Sequence, residues 1–261
     1  MNMKNTIILI LILAVGICFC ADIAFAQSKK RTTRILEIQT GDELIISSKL
    51  TLPASATSKN KVPLVVFLHS LGGDISVYDV MAEELKAKNI ASLAVISRGH
   101  SQSLTYMSGK KSYWQNFSNK QFARYPSDII TCIDFIKQNY VSIDVNKIAI
   151  VGSDINANAA ILAAVKGGKS NIKTLVLFNP SISFKGLEIR HSLVKYGNKP
   201  IMIIAGKKDK IHHSAAMELY KYAQGHVELV ILDNSSTGDN IIKTNIAVRN
   251  KVISWLVTYL K

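Results

Sequence analysis

Apolar runs of strand length alternate with helix-patterned stretches along nearly the whole chain, and this alternation limits the fold more than any other feature. Val62–Leu68, Ala91–Ile96, Lys147–Val151, Thr174–Phe178, Ile201–Ala205 and Val227–Leu232 are short, almost continuous apolar runs. Such runs suit strands buried on both faces of a parallel sheet. Between them, Tyr78–Lys88, a segment opening at Pro126, Ile155–Val165, Ala215–Ala223 and Ile241–Leu260 carry apolar residues at helical spacing. Pro126 suits a first helical turn, Ile129, Ile130, Cys132, Ile133, Phe135 and Ile136 form that helix's stripe, and Gly167-Gly168 stops the alanine-rich helix before it. Ile35–Gln39 and Leu44–Thr51, joined by Thr40-Gly41-Asp42-Glu43, read as a strand hairpin. The expected class is α/β: a mostly parallel central sheet, helices on both faces, an antiparallel N-terminal hairpin and no large lid domain. Neither an internal repeat nor an interdomain linker interrupts it.

The N-terminus is different. Lys4, an apolar run from Ile7 to about Cys20 and then Ala24-Phe25-Ala26 follow the order of a secretory signal peptide cut after Ala26. The run is shorter than the roughly 20 residues a membrane span needs. The expected organisation is a leader over residues 1–26 and one domain over 27–261, exported to the periplasm or beyond. Membrane contact is expected only if the leader is retained. Cleavage removes Cys18 and Cys20 and leaves Cys132 alone, which rules out an intramolecular disulfide.

The chain holds 32 Lys and Arg against 18 Asp and Glu, a net charge of +14 that is unchanged when Lys4 and Asp22 leave together. In an exported protein this favours anionic surfaces or small acidic ligands. The lysines are scattered rather than clustered, so a plain solvated surface is the competing reading. There is neither zinc-ligand spacing nor an aromatic platform, and no nucleic-acid partner is expected. Two stretches exceed ordinary connections: Gly99–Tyr125, with Tyr106, Tyr113, Trp114, Phe117, Phe122 and Tyr125, and Asn179–Asn198. Long loops at strand ends line binding sites or simply cover the sheet.

Four motifs sit on strand–loop–helix junctions. They are Leu68-His69-Ser70-Leu71-Gly72-Gly73, Arg98-Gly99-His100-Ser101-Gln102-Ser103, Val151-Gly152-Ser153-Asp154-Ile155-Asn156-Ala157-Asn158 and Ala205-Gly206-Lys207-Lys208-Asp209. In this order they resemble the α/β-hydrolase superfamily, in particular its small exported esterase and dienelactone-hydrolase-like members. The likeness runs from about Arg34 to the C-terminus.

That family places its nucleophile on a strained strand-to-helix turn, G-x-S-x-G. On this motif Gly152 is the first glycine, Asp154 stands at the nucleophile and Asn156 at the second glycine. Shifting the register to make Ser153 the nucleophile puts Val151 and Ile155 where glycines belong. Asp209 matches the family's acid. The family's histidine falls in Asn234-Ser235-Ser236-Thr237-Gly238-Asp239, with Thr237 at its position, and no histidine follows His226. The resemblance therefore implies a degenerate triad of Asp154, Asp209 and Thr237. It assigns the oxyanion hole to the amides of Leu71 and Ile155. Those amides and the adjoining helix start would hold the Asp154 carboxylate ionised.

The expected function is binding of a ligand or partner in the former active-site cleft, with a preference for cationic or hydrogen-bond-donating groups. The alternative is hydrolysis of ester, lactone or similar bonds by Asp154. Haloalkane dehalogenases and epoxide hydrolases, similar in fold, use aspartate at this place and need a histidine-activated water to cleave the ester formed. His212 and His213, three and four residues after Asp209, are the candidate substitute bases; the competing reading has them facing solvent at a helix start. His69 and His100 read as loop-ordering residues, and His191 and His226 have no special context. No cofactor or metal is expected, since two carboxylates without a third ligand make a weak cation site.

Overall fold

The structure, a computed structural model, describes residues 32–167, 172–233 and 237–261. The leader over 1–26, Gly168 and Asn234 to Ser236 lie outside the described residues. Ten strands alternate with eight α-helices among those described: β1 (Thr33–Gln39), β2 (Ile45–Thr51), β3 (Val62–Leu68), α1 (Asp79–Ala87), β4 (Ala91–Val95), α2 (Asn119–Phe122), α3 (Tyr125–Asn139), β5 (Ile143–Ser153), α4 (Ile155–Lys166), β6 (Ile172–Phe178), β7 (Ser183–Phe184), β8 (Leu187–Glu188), α5 (Arg190–Tyr196), β9 (Ile201–Gly206), α6 (Lys210–Tyr222), β10 (Val227–Leu232), α7 (Gly238–Thr244) and α8 (Ile246–Leu260).

Eight strands form one sheet in the order β1-β2-β4-β3-β5-β6-β9-β10. β1 pairs antiparallel with β2 and β2 with β4; every other pairing is parallel. The alternation of strand side chains divides the interior in two. Leu64, Val66, Ile148 and Ile150 face a core shared with α3, α4, α5 and α6. Val65, Phe67, Ala149 and Val151 face one shared with α1, α7 and α8. Covering both faces requires the continuous apolar runs seen in β3, β5, β6 and β9. Among the described residues no helix is long and apolar enough to cross a membrane.

The C-terminal helical pattern is two helices, not the single one expected from Ile241 to Leu260. Asn245 leaves the helix at φ −106°, ψ 94°, and its side chain accepts the Val248 N–H at 3.0 Å, capping α8. The apolar stripe continues across the break, so periodicity alone cannot show it. The 179–198 stretch likewise holds a short hairpin (β7, β8) turned at Lys185 and Gly186, both at positive φ, and then α5. Asn158 fastens this stretch to α4: its amide donates to Ser181 O and Leu187 O, and its Oδ1 accepts from Ser181 N.

Buried Arg98 ties the first hairpin to the body. Its guanidinium reaches Asp128 on α3 at 2.5 and 2.6 Å and Asp42 in the β1–β2 turn at 3.0 and 3.1 Å. Arg98 holds the Asp42 carboxyl down to about 2. Burial and bidentate pairing on both sides leave the charge compensated.

Candidate functional site at the turn between β5 and α4

Asp154 stands where β5 gives way to α4, at φ 52°, ψ −119°. Non-glycine residues rarely populate this region, and its occupation here marks a locally strained turn. Neighbouring structure imposes it. The Asp154 N–H donates to Phe178 O at 2.9 Å, and its carbonyl accepts the Ala157 N–H at 3.0 Å. A Cβ on Gly152 would lie 2.4 Å from Asn156 O, so only glycine lets strand and helix backbones pass. Asn156, at the second-glycine position, puts its side chain to use: it is buried and donates to His69 O at 2.6 Å and Ser97 Oγ at 2.8 Å. One amide thus joins the turn to the loops after β3 and β4.

The loop after β3 is held by two neutral histidines. His100 Nε2 accepts the Gly72 N–H at 2.9 Å, so its proton sits on Nδ1, facing Arg98 O at 3.1 Å. His69 Nε2 accepts the Ser97 N–H, and its Nδ1 faces Ser70 O. Burial lowers both, His100 to about 4. Trp114 stacks on His100 with ring centroids 5.4 Å apart and planes 7° apart. Gly72, at φ 77°, would bring a Cβ within 3.2 Å of Trp114. These contacts account for part of the aromatic-rich 99–125 stretch: Trp114 and Phe117 brace the loops beside Asp154.

The last loop departs from expectation. Thr237 is exposed and heads α7 without a side-chain capping bond. Asp239, two residues on, reaches inward: its Oδ1 and Oδ2 accept the Ser70 N–H at 3.0 and 3.1 Å. A Cβ on Gly73 would fall 2.1 Å from Asp239 Oδ2, and one on Gly238 would fall 2.1 Å from Ser153 Oγ. Two glycines therefore admit this packing. Burial raises the Asp239 carboxyl, against hydrogen bonding by Ser70 and Ser153. Sequence reasoning placed Thr237 here and missed Asp239, because its partner lies far away in the chain.

Asp154 Oδ1 is buried with no hydrogen-bond partner among the described residues. Burial pushes the carboxyl up to about 6, helped by the charge of Asp239 and opposed by His212, the Ser70 hydroxyl and the Gly238 amide. Desolvation thus outweighs the amides and helix start expected to favour the ion, and the carboxyl, though ionised at neutral pH, gives up its proton later than a free one.

Asp209 caps α6, accepting the His212 N–H at Oδ1 (3.1 Å), while its Oδ2 meets His212 Nδ1 at 2.7 Å. Burial would raise the Asp209 carboxyl, but His212 outweighs it and the group ends lowered. His212 is therefore half-buried, paired and close enough to bias Asp154, though no hydrogen bond joins the two. His213 sits half-buried beside it in the first turn of α6. Both histidines do stand at a helix start, as the competing reading had it, but each is only partly exposed, and His212 is paired with Asp209. Ile155 opens α4 and is buried. Leu71 lies between Ser70 and Gly72, whose amides go to Asp239 and His100. Among the described residues no group of three or more His, Cys, Asp or Glu is placed to hold a metal ion, and Cys132 is buried in the core.

Solved structures share this architecture. Dienelactone hydrolase from Anabaena variabilis aligns with a TM-score of 0.63 at 15% identity, over 88% of this chain and 100% of its own. The Pyrococcus furiosus esterase Pf2001 aligns with a TM-score of 0.67 at 18% identity, over 88% and 91%. A fungal esterase from Rhizomucor miehei gives 0.62 at 14% identity, over 87% and 82%. At such identities the likeness concerns the fold. No curated protein matches the chain. The family model described as serine aminopeptidase, S33, matches residues 59–196, more than half of the chain, and with the strained β5–α4 turn in place the protein belongs to that family of α/β-hydrolases.

Proposed function

We propose that this α/β-hydrolase-fold protein does not run serine hydrolysis, and that its former catalytic cleft binds a ligand or partner through a cationic or hydrogen-bond-donating group. One observation carries the reading. The last loop offers the elbow the Asp239 carboxylate, fastened to Ser70, while Thr237 points to solvent. A serine mechanism needs a hydroxyl at Asp154 and an imidazole from that loop. Here two carboxylates share the space, and Asp154 Oδ1 is left without a donor. An entering ammonium or amide N–H would supply that donor and relieve the repulsion between Asp154 and Asp239. The leader supports export, and the net charge of +14 would favour residence near anionic surfaces.

The Asp209–His212 pair favours a second reading. Its Nδ1–carboxylate bond leaves Nε2 free, and His212 acts on Asp154 across a gap. In that reading an Asp154 oxygen attacks an electrophilic carbon and displaces its leaving group. His212 then takes a proton from a water that cleaves the resulting ester, restoring the carboxylate.

Turnover of short-chain p-nitrophenyl esters and haloalkanes separates the two. The first reading expects none above background. Sustained turnover abolished by both Asp154→Asn and His212→Ala would replace it with the second. For export, fractionation of expressing cells with N-terminal sequencing is expected to give an extracytoplasmic protein beginning at Gln27.

A further inference from the structure

The sheet ends in two edges of opposite character. On β1 the exposed positions are Thr33, Arg34, Ile35, Glu37 and Gln39, and charged side chains of this kind discourage pairing with another strand. β10 reads Val-Glu-Leu-Val-Ile-Leu, with no lysine, proline or bulge. Each of its six residues is half-buried, whereas all six of neighbouring β9 are buried. Its two faces are covered: Val227, Leu229 and Ile231 pack into one core, Val230 and Leu232 into the other. What distinguishes β10 from β9 is its outer edge, which no neighbouring strand covers among the described residues.

The pairing with β9 identifies the outward groups. Ile201 N donates to His226 O and Lys207 N to Leu232 O, so even-numbered residues turn their backbone groups toward β9. In an extended strand the next residues point the other way. Val227, Leu229 and Ile231 therefore present their N–H and C=O groups outward.

We propose that β10 is a self-pairing edge, at which a second copy of this chain adds its own β10 antiparallel across a twofold axis through Leu229, making one continuous sheet. In this register Leu229 pairs with the partner subunit's Leu229, and Val227 with the partner subunit's Ile231. Each pair exchanges both N–H···O bonds. The axis at Leu229 also sets Glu228 opposite the partner subunit's Val230, so like charges do not meet; an axis at Glu228 would oppose two carboxylates. Glu228, the only charged residue of the strand, is already neutralised by Lys251. For a chain of net charge +14, β10 is notable in carrying no lysine of its own.

Helix α6 supports the same occupant. One flank faces α5, where Glu218 pairs with Arg190 and Tyr222 lies under its guanidinium. Ala215, Ala216 and Leu219 face the sheet. At 100° per residue, His213, Met217 and Tyr220 fall on the flank away from α5, above the β10 edge. Met217 is 40% and Tyr220 45% exposed. A twofold at Leu229 sets this flank beside its own copy, an isologous contact that buries both residues.

Sedimentation velocity of the full chain over a range of concentrations is expected to show a reversible dimer, strengthened by added salt as the mutual repulsion is screened. Hydrogen exchange should protect the Val227, Leu229 and Ile231 amides as concentration rises. Leu229→Pro removes an outward N–H that the monomer does not use and should leave a monomer. Met217→Lys with Tyr220→Lys alters only exposed positions and should weaken dimerisation at least about tenfold, so the test survives if the proline variant fails to fold. A chain monomeric at every concentration would overturn the proposal. So would a dimer that tolerates the lysine pair while the three amides exchange freely.

Discussion

The Asp239 carboxylate accepts the backbone N–H of Ser70 at 3.0 and 3.1 Å, which fastens the first turn of α7 to the loop after β3. That contact joins residues 169 apart in the chain and sets a second carboxylate beside Asp154. It leaves the loop order intact while changing what the loop can do.

Replacing Asp239 by Ala leaves the Ser70 amide buried without an acceptor. An unsatisfied buried donor costs about 1–3 kcal/mol, and some of the gain from removing a buried charge offsets it. Asp239→Ala is therefore expected to lower Tm, whereas Asp239→Asn, which keeps an acceptor and loses the charge, is expected to equal or exceed wild type. Thermal melts at neutral pH check the ordering; an alanine variant as stable as the asparagine variant would show the Ser70 contact to be idle.

The Asp154 carboxyl makes an opposite-signed prediction about charge. Its pKa is 3.8 in the unfolded chain and about 6 when folded. Between these values the folded state holds a proton the unfolded state has released, so stability falls as pH rises through the window and the full cost remains above pH 6. Each pH unit of displacement corresponds to about 1.4 kcal/mol, which sets a ceiling of about 3 kcal/mol, reduced by partial exposure to about 1–3 kcal/mol. Asp154→Asn is expected to stabilise the protein by that amount at pH 7–8 and by nothing below about pH 4. Urea denaturation across this range is the measurement. A gain that does not fade with acid would place its origin in the relief of turn strain instead.

The two predictions differ in how visible their residues are in the sequence. Asp154 is legible because the turn after a buried strand has a local signature: Gly152 two residues before the tip, a helix opening at Ile155. The limits of β3 and β10 are legible for a similar reason, as an apolar run buried on both faces ends where water begins. Asp239 is hidden because its partner, Ser70, is 169 residues away, and nothing in Thr237-Gly238-Asp239 says which side chain turns inward. Asn156 is a middle case. Its departure from glycine is plain, but its bonds to His69 O and Ser97 Oγ depend on three strand ends meeting. The break at Asn245 escapes because a cap leaves the apolar period unchanged.

The loop after β3 should fail in acid for a reason of its own. His100 titrates at about 4 in the fold against 6.5 unfolded. Between these values the unfolded chain binds the proton and the folded one does not, so stability is present above pH 6.5 and is lost as pH falls toward 4. Burial also lowers His69, which acts in the same direction. Protonated His100 cannot accept the Gly72 N–H, and Trp114 loses its stacked neighbour. Near-ultraviolet dichroism of the indole is expected to change in step with stability between pH 6.5 and 4. In His100→Gln, which titrates no proton, this step should shrink.

Rebuilding the serine mechanism tests the whole reading of the site. Asp154→Ser supplies the hydroxyl, and Thr237→His supplies an imidazole that can pair with Asp209, provided His212 no longer holds that carboxylate. Those two changes are expected to be insufficient, because Asp239 still fastens the last loop to Ser70 and keeps a negative charge beside the elbow, which opposes a developing oxyanion. Adding Asp239→Ser and His212→Ala frees both partners. General-base catalysis contributes about 10²–10⁴-fold, so the four-site variant should hydrolyse p-nitrophenyl acetate at least about a hundredfold faster than the two-site variant, with a rate that rises through the pKa of the new histidine. Equal rates in the two variants would mean that Asp239 does not block the site, and the case for a cleft turned from hydrolysis to binding would fall with it.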